Sequence, residues 1–287
     1  MSQILITADS TFDMPVDLVW KYDIKVLPSY VRMGVSCYDD YPDLRQETLF
    51  KYYDRTGELP QTAAANPSDY VEFFGQYASN YDAIIHISKS SGISGCYNNA
   101  ILAASSFSNV LVIDSMNVSG GSALLAIEAC EQKNTSSIKD LVIYLCRYRG
   151  RVDGSFIIEN LDYLYKGGRC SSLSYCSANI LNIKPSIEIK DGKLSAWKKY
   201  RGSYKKCLFR FIDEKLSNPS QISQRDLFIA HSLCDTSLLN EAYQYILSKH
   251  IFDRIIISPV GAAVACHCGP NTFGMFTIKK HLPDLTW

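Results

Sequence analysis

Short blocks of aliphatic and β-branched residues punctuate this chain, and between them apolar residues return at helical spacing. Ile4-Leu5-Ile6, Ile84 to Ile87 and Val110 to Ile113 read as buried strands, because a strand covered on both faces is a continuous apolar run. Val71, Phe74 and Ala78 recur behind Pro67-Ser68, and Leu141, Leu145 and Tyr148 behind a capping Ser137, so helices fill the intervals. Strands alternating with amphipathic helices predict βαβ units and a mainly parallel sheet. Beyond Gly150 to Gly154 the alternation recurs less regularly. Phe156-Ile157-Ile158, Leu227 to Ala230 and Ile255 to Ile257 are strand candidates, with helices carrying Leu208, Phe211 and Ile212, then Leu239, Ala242, Tyr243 and Ile246. The pattern divides the chain into an N-terminal α/β domain, 1–152, and a second α/β domain, 153–287. No internal repeat or low-complexity tract interrupts it.

The second strand runs directly into Ser88-Lys89-Ser90-Ser91-Gly92-Ile93-Ser94-Gly95. From Ile93 onward, Tyr97, Ala100, Ile101 and Ala104 keep helical spacing, which puts Ser94 and Gly95 at a helix start. Unpaired N–H groups and the positive end of the helix dipole suit a carboxylate or phosphate there. The alternative is local: Ser94 caps its own helix and Gly95 eases the turn. Asp9-Ser10 and Asp114-Ser115 end the other strands, at the edge where open α/β sheets bind ligands, although Asp and Ser serve equally as turn residues.

In Lys166-Gly167-Gly168-Arg169 the glycines read as a helix stop, with Arg169 projecting into a loop where its guanidinium can meet an anion. His267 lies where a strand-like run meets the Gly269-Pro270 turn, placed to bond a carboxylate, act as a base or satisfy a carbonyl. Cys266-His267-Cys268, on an extended chain with no matching pair elsewhere, does not fit known zinc-ligand spacings. Around Ser94 there is no Gly-x-Ser-x-Gly elbow, and neither a dinucleotide fingerprint nor a P-loop occurs, so no nicotinamide or nucleotide cofactor is implied.

Composition narrows the classes further. At 287 residues the chain is long enough for two cores. Its 29 basic and 29 acidic residues cancel, which removes the footprint of a nucleic-acid or anionic-membrane binder. No apolar run suffices to cross a bilayer, and the first residues enter a strand at once, so stable membrane insertion is not expected and a cytoplasmic location is. Ten scattered cysteines in so long a chain are expected to be reduced and packed as small hydrophobes.

Taken in order, Ile6 to Thr11, Pro60-Gln61-Thr62 with Pro67, Ser91 to Tyr97, Ile113-Asp114-Ser115, Leu161 to Arg169, Ile183-Lys184-Pro185 and Cys266 to Gly274 resemble the DegV family of bacterial fatty-acid-binding proteins, nearly end to end. The resemblance implies two α/β domains with one long-chain fatty acid buried between them. By the same resemblance, Thr62, Ser94, Gly95 and His267 hold its carboxylate. A separate ATP-dependent fatty acid kinase then phosphorylates the carboxyl group, with Arg169 and Arg201 serving the handover, so the protein carries substrate without turning it over. Three departures stand out: Ala63 follows Thr62 where the family often has Ser, Cys96 replaces a common Thr, and Asn271 replaces a usual Gly. Phe12, Tyr30, Ile93, Phe156, Ile180 and Ile187 are candidates for the tunnel wall or plain core. Two other readings share these residues: an enzyme acting on a small acidic or phosphorylated substrate with His267 as base and Arg169 as anchor, or a lipid-sensing regulator.

Overall fold

The computed structural model describes residues 2–159, 161–169 and 183–281, and the statements below concern those residues. In chain order the strands are β1 (Ile4–Asp9), β2 (Lys25–Leu27), β3 (Tyr30–Met33), β4 (Ser36–Asp39), β5 (Gln61–Ala63), β6 (Ala83–Ser88), β7 (Val110–Asp114), β8 (Val152–Ile157), β9 (Ile183–Lys190), β10 (Lys193–Arg201), β11 (Asp226–Ser232), β12 (Arg254–Pro259) and β13 (Thr272–Ile278). One sheet, ordered β2-β1-β6-β7, is parallel throughout. Its central strands β1 and β6 are buried at every position, as their unbroken apolar runs require.

The other large sheet, ordered β10-β9-β8-β13-β11-β12, is mixed: β11 and β12 run parallel, and the remaining neighbours are antiparallel. The irregular alternation of the second half has its cause here, since β9 and β10 form a hairpin rather than a helix-linked pair. Asp191 and Gly192 turn it, both with positive φ (49° and 74°), the conformation that matches the twist of paired strands. A small antiparallel sheet, β4-β3-β5, lies beside the parallel one and carries Thr62.

The helix Gly120–Gln132 joins the two large sheets, touching β1 and β6 on one side and β8, β11 and β13 on the other. It is buried almost all round, which is what a helix without a polar face must be. A Cβ on Gly120 would fall 2.4 Å from Phe228 Cδ1 and 2.6 Å from Phe276 Cδ2, so the helix meets the second sheet at this point only without a side chain. Farther along, buried Glu128 takes Arg225 at 2.6 Å, and Arg225 also takes Asp226 at 2.7 Å, tying the helix to β11. One apolar cluster, including Ile6, Ile85, Leu124, Phe228 and Phe276, runs continuously through both sheets.

Two local expectations are corrected. In the helix Pro67–Gly75 the buried face is Tyr70, Phe73 and Phe74; Val71 is 39% exposed, and Ala78 lies beyond the helix in a short 3-10 turn. Cys266, His267 and Cys268 end the helix Ala262–Cys268 and are not extended, because small residues there allow a short helix to pack closely. Cys37, Cys96, Cys130, Cys146, Cys207, Cys234, Cys266 and Cys268 are all free thiols, while Cys170 and Cys176 lie outside the described residues.

Candidate functional site

Where β1 and β6 end, their following loops face the second sheet across a cavity of about 210 Å³. Apolar side chains make most of its wall, among them Ile93, Phe156, Leu164, Leu194, Val260, Val264 and Phe276. Thr62, Ser94, Gly95, Arg169 and His267 all line it; Arg201 does not, being an exposed residue at the end of β10 opposite Ile183. Of the proposed wall residues, Ile93 and Phe156 face the cavity, Phe12, Tyr30 and Ile187 do not, and Ile180 lies outside the described residues.

Thr62 and His267, 205 residues apart, meet at 2.8 Å between Oγ1 and Nε2. β5 supplies Thr62, paired with Val31, and the last turn of the helix Ala262–Cys268 supplies His267. His267 Nδ1 is buried without a partner among the described residues. An orphan lone pair is tolerated better than an orphan N–H, which favours the tautomer with the proton on Nε2. Thr62 then accepts that proton's hydrogen bond, and its own O–H is free to donate into the cavity. Burial, reinforced by the charges of Arg169 and Lys89, lowers the His267 pKa to about 3, so the ring is neutral near pH 7.

Ser94 and Gly95 precede the helix Cys96–Ala104. Ser94 Oγ accepts the Cys96 N–H at 3.3 Å, satisfying one orphan donor of the helix start, and donates to Cys96 Sγ at 3.4 Å. The capping and ligand-binding readings are therefore not exclusive: one oxygen serves the helix while it faces the cavity. Gly95 has a φ of −74° and open space where a Cβ would go, so backbone strain does not demand glycine here. Gly167 ends the helix Asp162–Lys166, as its sequence suggests, and its carbonyl accepts Arg169 Nη1 at 2.9 Å. Asn271, standing where a glycine was expected, adopts a φ of 52° and donates through its side chain to Glu159 at 2.7 Å.

Asp9 and Asp114 sit at strand ends but not on the cavity wall. Asp9 accepts from Tyr70 Oη at 2.6 Å, Ser88 Oγ at 2.8 Å and the Lys89 N–H at 2.9 Å, with His86 Nε2 at 3.3 Å. Burial alone would raise its pKa; the hydrogen bond and charge of His86, the charge of Lys89 and the Tyr70 hydroxyl outweigh it and hold the carboxyl well below its usual range. It knits β1, β6 and the helix Pro67–Gly75 together. Asp114 takes the Met116 N–H at 2.8 Å, a turn-capping role.

Sequence reasoning missed Lys89, Thr11, Ser29 and Ser119, which also line the cavity. Lys89 is only 7% exposed, and its Nζ donates to Ser29 Oγ at 2.9 Å. A lysine in a run of serines ordinarily reads as solvated; the available signal was its place immediately after a fully buried strand.

Comparison with known proteins places this fold. Residues 3–280 match the family described as "Uncharacterised protein, DegV family". The chain is 30% identical to a fatty acid-binding protein of Thermotoga maritima over 281 residues, 95% of this chain and 96% of that protein. A Thermotoga maritima structure described as revealing fatty acid binding function superposes with a TM-score of 0.83 at 27% identity, covering 97% of this chain and 100% of the other. A DegV family protein from Thermus thermophilus shares the fold with a TM-score of 0.89 at 24% identity, over 96% and 99% of the two chains.

Proposed function

This chain belongs to the DegV family, and from that premise we propose that it is a cytoplasmic, non-catalytic carrier: it buries a long-chain fatty acid between its two domains, 1–152 and 153–287, and presents the carboxylate to a separate ATP-dependent fatty acid kinase. The observation that carries the reading is the Thr62–His267 pair, held at 2.8 Å on the wall of a mainly apolar cavity that Ser94 also lines. A neutral imidazole orients the Thr62 hydroxyl as donor, Ser94 adds a second hydroxyl, and the backbone at Gly95 adds the positive end of a helix.

Energetics divide the work. Burial of an acyl tail contributes about 0.8 kcal/mol per methylene, or roughly 10 kcal/mol for a dozen, before the entropy of immobilisation. Each charge-assisted hydrogen bond to the head adds on the order of 1.5–3 kcal/mol and decides which end faces out. Thr62, Ser94 and His267 are half-buried and Gly95 is exposed, so the head group lies near the surface, where a partner reaches it. Arg169, half-buried on the same cavity, neutralises the carboxylate, and exposed Arg201 offers the kinase a contact. The enzymatic alternative asks His267 to act as a base; a ring that protonates only near pH 3 is a poor one at neutral pH.

Native mass spectrometry of the purified protein should find a fatty acid bound. With the kinase and ATP added, Arg201→Ala should keep its fatty acid and lose acyl-phosphate formation. Equal loss of retention in Arg201→Ala and Ser94→Ala would overturn the division between binding and handover.

A further inference from the structure

The cavity carries two polar stations, and the head group of a simple fatty acid needs only one of them. The outer station is the half-buried set Thr62, Ser94 and His267. The inner one is Lys89, Ser29, Thr11 and Ser119, all buried, between 2% and 7% exposed. Apolar side chains such as Ile93, Val260 and Phe276 share the wall with both.

The inner station is incomplete. Lys89 Nζ gives one of its three donors to Ser29 Oγ, and no other acceptor among the described residues takes the remaining two. Three carboxylates lie close by: Asp9 is held by the donors already described, Asp40 Oδ1 by Ser10 Oγ at 2.7 Å and the Ser29 N–H at 2.8 Å, and Asp13 Oδ1 by the Gly261 N–H at 2.8 Å; Asp13 Oδ2 and Asp40 Oδ2 have no hydrogen-bond partner among the described residues, and none of the three accepts from Lys89 Nζ. The hydroxyl oxygen of Thr11 is likewise buried without a hydrogen-bond partner, whereas that of Ser119 faces the Asp13 carboxyl. The two residues are adjacent, joined by the Ser119 N–H to the Thr11 carbonyl at 2.8 Å. Two ammonium donors and one hydroxyl without acceptors on a mainly apolar wall are costly unless a ligand supplies their partners. A saturated tail offers none and would force Lys89 to stay desolvated against methylenes.

We propose that the preferred ligand is an acyl chain bearing a second oxygen function along its length, a hydroxyl, ketone or second carboxylate, which Lys89 Nζ and the Thr11 hydroxyl bind while the head carboxylate occupies the outer station. This inference rests on the fatty-acid reading above and narrows it. The ammonium makes the inner group an acceptor, and the station's burial sets it deeper than the half-buried residues that hold the head.

Binding of hexadecanoic acid, hydroxyhexadecanoic acids substituted at successive positions, and hexadecanedioic acid to the stripped protein tests it. At least one oxygenated acid is expected to bind about tenfold or more tighter than the plain acid, the equivalent of a single charge-assisted hydrogen bond. In Lys89→Met the order inverts, the plain acid becoming the tighter ligand, and Thr11→Val narrows the preference. Plain and oxygenated acids binding equally to the native chain, with an unchanged ratio in Lys89→Met, overturns the inference and leaves the carrier reading standing. So does a Lys89→Met protein that loses the plain acid as severely as the others, because the head group would then sit at Lys89. Should Lys89→Met fail to fold, the ratio in Thr11→Val decides in the same way. Binding of none of these acids to the native chain refutes the carrier reading itself.

Discussion

Thr62→Val isolates one hydroxyl at nearly constant volume. In the free protein His267 Nε2 loses its partner at 2.8 Å. A buried donor left unpaired costs about 1–3 kcal/mol, with the lower end apt here because Thr62 is only half-buried. That loss is common to the free and bound states and so enters stability, not affinity. Affinity loses the Thr62 O–H bond to the ligand carboxylate, about 1.5–3 kcal/mol, or roughly a 10- to 150-fold rise in Kd. Titration calorimetry with a stripped protein reads the second effect, and thermal unfolding without ligand reads the first, expected to be a fall of about 2–4 °C for each kcal/mol in a chain of this size. Thr62→Ser keeps the hydroxyl and should recover most of the affinity. A Thr62→Val protein that binds fatty acid within about twofold of the native chain would falsify the placement of the carboxylate against Thr62. A Thr62→Ser protein as impaired as Thr62→Val would show that the methyl group, not the hydroxyl, is what matters.

Two further outcomes follow from distances and proton affinities already described. In Gly167→Ala the added Cβ would fall 2.5 Å from His267 Nδ1 and 2.8 Å from the Tyr163 carbonyl oxygen, so the imidazole must shift from the position in which it meets Thr62; retention of fatty acid should drop about tenfold or more, and retention equal to the native protein would show that the orientation of His267 is unimportant. Asp13 is pushed up to about 7, chiefly by burial, with the Ser119 hydroxyl and the Gly261 N–H opposing. The folded protein therefore keeps a proton that the unfolded chain releases near pH 3.8. Its stabilising effect is complete below about pH 4 and is lost as the pH rises through about 7, as much as about 4 kcal/mol in all. Asp13→Asn, which cannot ionise, should flatten the decline of stability across that window in urea melts; equal slopes in the two proteins would disprove the assignment.

Much of the scaffold was readable without coordinates. The uninterrupted apolar runs of β1, β6 and β7 announced a buried parallel sheet, and Ser94-Gly95 announced a helix start at its edge. The Asp191-Gly192 turn carried an equally plain signal, but the lysine-rich strand Lys193–Arg201 beside it obscured the alternation expected of a hairpin. At Cys266-His267-Cys268 small residues give neither helical nor strand period, so only packing settled a helix. The fate of Lys89 was beyond local rules altogether, because a lysine is solvated or buried according to what lies opposite it.

Periodicity, caps and turn residues act over a few neighbours, and the sequence alone therefore determined the elements, the polar strand ends and the chemical types available to a ligand. Bringing Thr62 to within 2.8 Å of His267, burying Lys89 and raising the Asp13 pKa to about 7 were decided only in the tertiary structure. All three depend on how the two sheets close on the helix Gly120–Gln132, where a glycine lies against Phe228 and Phe276 and one apolar core spans both sides. The low dielectric around buried groups and the distance between residues far apart in sequence are properties of that closure.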